Sequence, residues 1–280
     1  MKKLLISFFY IVFINQLYAQ NNSISPDYFI LDQAIAECTY LLNYKDNKSL
    51  DSTRQETMIL YIGENHYSKF ASYSMYLVED LVNKYQGPDN EQQLVNEVLK
   101  APKPRFRYRL YKNLSQKTIT YQEWVGGTNY QYEESLDTLL TWAITLDQKV
   151  INSYKCQKAT THFAGRDYIA WFTTDIPISE GPYKFCGLPG LIIQVYDVEK
   201  DYEFTLQNLK NMEGNTPILG VNKADEIKLS KANFTKVVEN FKKDPIQSYS
   251  NSNMVFPISE DQAKRSKKRL QSRNNPIELQ

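Results

Sequence analysis

The sequence predicts an α+β domain: a curved antiparallel sheet, partly closed into a half-barrel, with a helical insertion and a further helix packed on the sheet from the C-terminal half. Three observations carry this. Short runs alternate in polarity with a period of two at near-regular intervals. Two regions, near residues 70–100 and 230–242, switch to the helical period. Turn-forming residues separate many of the strand-like runs. The chain has 280 residues, 42% hydrophobic and 23% charged, enough to bury an ordinary core. Its 21 Tyr, 13 Phe and 3 Trp stand against only 2 His, so chemistry that leans on histidine has little to draw on.

The elements follow in order. Ile30, Ala34, Ala36, Cys38, Tyr40 and Leu42 fall at spacings of two within residues 28–45, as in a long strand with one buried face. Thr57 to Ile62 is its hairpin partner. Met75, Val78, Leu81, Val82 and Tyr85 share one helical stripe, and Leu94, Val95, Val98 and Leu99 a second that stops before Pro102 and Pro104. These form the insertion over 70–100. Strand-like runs then recur at Phe106–Leu110, Lys117–Trp124, Thr138–Ile144, Tyr154–Phe163, Tyr168–Phe172, Leu191–Tyr196 and Tyr202–Leu209, with turns at Gly126-Gly127, Leu146-Asp147, Gly165 and Asp197 to Asp201. Ser230 caps a stripe of Phe234, Val237, Val238 and Phe241 that ends before Pro245. No repeat or linker divides residues 20–260, so a single domain is expected. Residues 261–280 form a basic tail with Lys264, Arg265, Lys267, Lys268, Arg269 and Arg273. It reads as a solvated or frayed segment, or as a surface for anionic lipid or an acidic partner.

Lys2 and Lys3, the apolar stretch Leu4 to Ile14, and Ala19 before Gln20 read as a secretory signal over residues 1–19. No later apolar run reaches the ~20 residues of a membrane span, so no transmembrane segment is expected after cleavage. The protein is expected to be exported, to the periplasm or outer membrane or into the medium. A net charge of +1 provides no field to hold a nucleic acid backbone. In an oxidising compartment Cys38, Cys156 and Cys186 allow three single disulfides, of which Cys156–Cys186 is favoured, stabilising by roughly 3–4 kcal/mol. Cys38 is then a buried thiol. His66 and His162 lack a second ligand at a metal spacing, and no GxSxG or CxxC occurs. No catalytic residue, metal or cofactor is assigned.

The strongest local signal is Gly187-Leu188-Pro189-Gly190-Leu191-Ile192. Pro189 suits the second position of a turn and Gly190 the positive φ that a type II turn needs at its third. The strand it launches is expected to point Leu191, Ile193 and Val195 to one face. Arg166 offers a planar fork to Asp167, Asp175 or a ligand carboxylate. Trp142 and Trp171 either line an apolar cavity or fill the core.

Residues 150–197, with Tyr154-Lys155-Cys156, Gly165-Arg166, Ala170-Trp171-Phe172, Gly181-Pro182, Lys184-Phe185 and the hexapeptide, resemble the GLPGLI family of exported bacterial proteins. Asn275-Pro276-Ile277-Glu278-Leu279 and the signal also resemble it. The resemblance implies residence in a Gram-negative cell envelope and brings no established reaction or ligand. By fold analogy, the meander is similar to the LolA/LolB type of lipoprotein-carrier barrel. The expected function is a non-enzymatic envelope protein that binds a lipid, another apolar ligand, or an apolar segment of a partner protein in the concave face. Trp142, Arg166, Tyr168, Trp171, Leu191 and Ile193 are the candidate binding residues. The alternative is an adaptor for outer-membrane assembly that docks through its basic tail and an exposed sheet edge. A hydrolase with an unrecognised site comes third.

Overall fold

The computed structural model describes residues 27–85, 87–222, 226–245, 247 and 260–279. The expected signal segment lies outside these residues. Among the described residues, twelve strands form one sheet, in the order β12-β6-β5-β4-β3-β2-β1-β11-β10-β9-β8-β7. They are β1 (Asp27–Tyr44), β2 (Arg54–Gly63), β3 (Tyr67–Ser72), β4 (Arg109–Asn113), β5 (Thr118–Val125), β6 (Thr128–Ser135), β7 (Ala143–Ile151), β8 (Tyr154–Phe163), β9 (Arg166–Thr173), β10 (Leu191–Asp197), β11 (Tyr202–Asn222) and β12 (Ile227–Lys228). Every pairing is antiparallel except β12 with β6. The end strands β12 and β7 do not pair with each other, so the sheet is open.

Local sequence fixes the hairpins. Gly126-Gly127, Asn152-Ser153 and Ala164-Gly165 join β5–β6, β7–β8 and β8–β9, and all six residues have positive φ, the geometry that matches a two-residue turn to strand twist. The turn at Asn152-Ser153 displaces the one expected at Leu146-Asp147. The strand expected over 138–144 therefore begins at Ala143, after a helical turn, Leu136–Leu139, capped by the Ser135 hydroxyl. β11 runs well beyond Leu209, because its second half pairs with β1 as far as Asn222; residues 210–216 of that half are mainly polar and carry no alternation for a sequence reading to detect.

The helical insertion lies between β3 and β4. α1 (Tyr73–Lys84) is capped by Ser72, and α2 (Glu91–Lys100) packs on it through Val82, Leu94 and Val98. α3 is the turn at Leu136–Leu139. α4 (Lys231–Lys243) has its N-terminus capped by Ser230 and sets Phe234 against Tyr121 and Tyr132. α5 (Glu260–Gln271) packs against α4.

The curvature can be measured. Phe70 on β3 and Phe204 on β11 have ring centroids 6.0 Å apart, although β2 and β1 run between those strands. In a flat sheet the two backbones would be about 14 Å apart. The concave face therefore carries Phe70 and Phe204 together with their directly paired neighbours, among them Leu42, Leu60, Leu110, Tyr121, Tyr132, Ala170 and Val195.

Candidate functional site

Residues 174–190, between β9 and β10, fold back into that concave face. Tyr183, Lys184, Phe185, Cys186 and Leu188 are all buried. The segment hydrogen-bonds to itself and to its own flanks: Gly187 N donates to Ser179 O at 3.1 Å, Leu191 N to Ile176 O at 3.0 Å and Ile192 N to Glu180 O at 3.0 Å. The glycines divide two tasks. Gly187 supplies a φ of +89°, while Gly190 supplies space, since a Cβ there would stand 2.0 Å from Thr173 O. The positive φ expected of Gly190 thus belongs to Gly187. Tyr183 also takes a positive φ, 53°, which is strained for an aromatic residue and is held by its surroundings. Its ring lies among Tyr108, Phe163 and Phe204 and its hydroxyl donates to Glu278.

Two charge clusters pin this plug, and a third, beside it, anchors the C-terminal segment. Lys112 on β4 pairs with Glu180, both side chains almost fully excluded from solvent; Lys112 also donates to Gly181 O at 2.8 Å, and Ser68 donates to Glu180 at 2.7 Å. Lys184 pairs with Glu134 and, at 2.6 Å, with Glu278, and Lys231 of α4 bridges the same two carboxylates at 2.8 and 2.7 Å. The rings of Tyr121, Tyr132 and Tyr183 stand 5.1–5.7 Å from the Lys184 ammonium, within cation–π range. Burial would raise the Glu278 carboxyl, but Lys184 and Lys231 outweigh it and hold it below the usual glutamate value. Arg166 forms the third cluster, with Nη1 3.0 Å from both Asp197 and Asp201 and Nη2 donating to Asn275 and to Pro276 O at 2.6 and 2.8 Å.

The partners of Arg166 are thus Asp197, Asp201 and the chain terminus, not Asp167 or Asp175. Residues 275–279 are no frayed tail. Asn275 is buried, Leu279 N donates to Ala164 O, and Tyr168 and Tyr202 donate to the carbonyls of Ile277 and Asn275.

The six candidate binding residues do not line one cavity. Arg166 and Tyr168 share the concave face with Phe163 and Thr161, and Trp142 joins them from the β7 side, its Nε1 donating to Cys186 O at 2.8 Å. Trp171, paired with Gln194 and Lys158, lies on the convex face beneath the Lys149 ammonium, 4.2 Å away. Leu191 pairs with Thr173 on that same convex side. A bulge between Ile192 and Gln194 takes Ile193 out of register, so that Ile192, not Leu191, shares the concave face with Val195. The expected bridge also fails. All three cysteines are free and buried. Cys156 pairs with Lys149 and so faces the convex side with Trp171, whereas Cys186 sits in the plug on the concave side, so the sheet itself separates the two thiols. Burial pushes Cys38 and Cys186 up to about 12 and Cys156 up to about 11.

Exposed apolar surface collects on β7. This end strand is exposed or half-exposed at all nine residues, and Ile144, Leu146 and Val150 are 48%, 93% and 68% accessible. Its pairing with β8 is irregular between Ile144 and Gln148, where Asp147 pairs with Lys158 at 3.0 Å. Among the described residues there is no cluster of three or more metal-ligating side chains, and no helix is long and apolar enough to cross a membrane.

Residues 164–194 match a family model described as "Protein of unknown function (Porph_ging)". This is the GLPGLI family. The GLPGLI match begins at the β8–β9 turn, takes in Arg166 and the whole plug, and ends within β10, so it covers one half of each buried ion pair described above. No curated protein matches the sequence. Among solved structures, PNGF-II in a P21 crystal form is 13% identical, with a TM-score of 0.49 over 73% of this chain and 33% of that one; in a C2 form the figures are 14%, 0.47, 72% and 32%. The chain thus spans about a third of the length of PNGF-II. A LolA superfamily protein, NE2245 from Nitrosomonas europaea, is 8% identical, with a TM-score of 0.27 over 66% of this chain and 88% of that one.

Proposed function

We propose that this is an envelope interaction protein that docks an extended apolar segment of a partner protein along β7. One observation carries it: among the described residues no strand lies on the outer side of β7, the terminal strand of the sheet, and β7 exposes Ile144, Leu146 and Val150. An edge strand presents a row of unpaired backbone donors and acceptors, and an incoming strand pairs with them while apolar pockets and side chains choose its sequence. The bulge and the Asp147–Lys158 pair discourage indiscriminate pairing, which leaves selectivity to the apolar side chains. The concave face, where a lipid or apolar guest was expected, is occupied by the chain's own Tyr183, Phe185 and Leu188, so the adaptor is favoured over the carrier. The envelope location is supported by the signal-like N-terminus and the GLPGLI segment. We take residues 20–260 as one domain, extended by the docked C-terminal residues.

A photo-crosslinking residue at position 146 in the native host tests this. The expected product is a protein adduct mapping to an extended apolar segment, absent from position 210 on β11 and lost in Ile144→Asp/Val150→Asp. Adducts that persist in that variant refute edge docking. A lipid copurifying in native mass spectrometry, with no adduct at 146, returns the carrier.

A further inference from the structure

The chain is close to neutral, with 33 Lys+Arg and 32 Asp+Glu, yet its cations are not evenly spread. Arg105 and Arg273 turn their Nε groups on one carboxylate, Asp46, at 3.1 and 3.8 Å, and Arg54 reaches it at 4.0 Å. One acid thus faces three arginines. The cluster extends further. Arg273 is within electrostatic reach of Arg269, Arg269 of Lys103, Lys103 of Arg107, and Arg105 of Lys242. The nearby acids are Asp46, Glu123, Glu239 and Glu56, whose carboxylate accepts from the Arg105 backbone N–H at 3.0 Å. Burial first, and the neighbouring Arg105 and Arg269 after it, lower the Arg273 guanidinium to about 10. α5 adds Lys264, Arg265, Lys267 and Lys268, all exposed, with Arg265 paired to Asp261. Four chain regions far apart in sequence therefore build one basic face.

We propose that this face, formed by Arg54, Arg105, Arg107, Lys242, Arg269 and Arg273 with the exposed lysines of α5, docks on an anionic bilayer surface. Charge complementarity selects the occupant. A protein partner needs buried aromatic or aliphatic anchors at the centre of its interface, and no large apolar side chain is exposed between Glu260 and Arg273. A bilayer surface requires only charge, since its headgroups form a dense anionic plane with no register to match. α5 has no apolar face to insert, so adsorption is electrostatic and reversible. Bound in this way, the protein would sit on the membrane while β7, a separate surface, remains the protein-docking edge.

Co-sedimentation of the purified protein with phosphatidylglycerol vesicles and with phosphatidylcholine vesicles tests the proposal. Binding is expected to the former alone at low ionic strength, with release towards about 0.5 M NaCl as screening shortens the reach of each charge. Lys264→Glu/Lys268→Glu should weaken partitioning by about tenfold or more with an unchanged urea midpoint, while Lys210→Glu, on β11 outside the face, should leave partitioning unaltered. Equal binding to both vesicles, absence of binding to phosphatidylglycerol at low salt, or full binding by the double variant each overturns the proposal. So does binding to polyglutamate without binding to vesicles, which would assign the face to an acidic protein instead.

Discussion

Arg166 donates from Nη2 to the Oδ1 of Asn275 at 2.6 Å, joining the start of β9 to the chain terminus 109 residues later. Neither residue has a close substitute for the other. Asn275 also donates to Lys45 O, and Arg166 is the cation between Asp197 and Asp201. The C-terminal segment is therefore part of the folded body. Truncation after Asn274 should cost about 3–5 kcal/mol, the scale of breaking a buried charge pair, read as a fall in the urea midpoint. An unchanged midpoint would show the segment to be merely draped over the sheet.

Lys112 and Glu180 give a sharper test, because both are sealed in the core. Lys112→Met or Glu180→Gln alone leaves its partner buried without full compensation, and each should cost about 3–5 kcal/mol. The double variant Lys112→Met/Glu180→Leu should recover part of that loss, since it no longer buries a charge. Additive losses in the cycle would contradict a direct pairing.

The two glycines of the plug should respond differently. Gly187→Ala meets open space and should cost only about 1–2 kcal/mol for its left-handed backbone. Gly190→Ala drives a methyl group into the Thr173 carbonyl and should abolish the native fold or lower its melting temperature far more. Circular dichroism melts of the two variants decide the order.

Acid should loosen the plug through Glu278. Its carboxyl is held below the ordinary 4.5 in the folded state; a depressed folded pKa contributes stability that is complete above the unfolded value and is lost as pH falls below it. Glu79, held down by Lys69 and Arg109 against the effect of burial, has the same sign. The melting temperature should therefore drop as pH falls below about 4.5, and Glu278→Gln should be less stable at neutral pH with a shallower acid decline. A parallel decline in variant and parent would remove Glu278 from the account.

The thiols should be silent until unfolding. With Cys38, Cys156 and Cys186 buried and free, an aromatic disulfide reagent should titrate none in native protein and all three in guanidinium without reductant. Recovery of a single thiol in denaturant would restore a disulfide.

Local sequence is sufficient wherever the deciding interaction is short-range. The hairpins at Gly126-Gly127 and Gly165, the Ser230 cap, the two stripes of the insertion and the long alternating strand at residues 28–45 could all be read because turn dihedrals, side-chain caps and the periods of helix and strand are set within a few residues. The second half of β11 was not legible, because its strand state comes from β1 rather than from its own composition. Nor was the face assignment of Leu191 and Ile193 relative to Val195, because the bulge between Ile192 and Gln194 reverses every later side chain in the strand.

By itself, then, the sequence determined that strands would dominate, that turns would fall at Gly126-Gly127 and Gly165, and that residues 164–194 carry a family motif. Only the tertiary structure decided that this motif holds a plug pinned through Lys112 and Lys184, that Arg166 anchors Asn275 and Pro276, that Cys156 and Cys186 lie on opposite sides of the sheet, and that cations from four distant regions share one face. Each of these depends on which strands become neighbours and how far the sheet bends, and both are set by contacts summed over the whole chain.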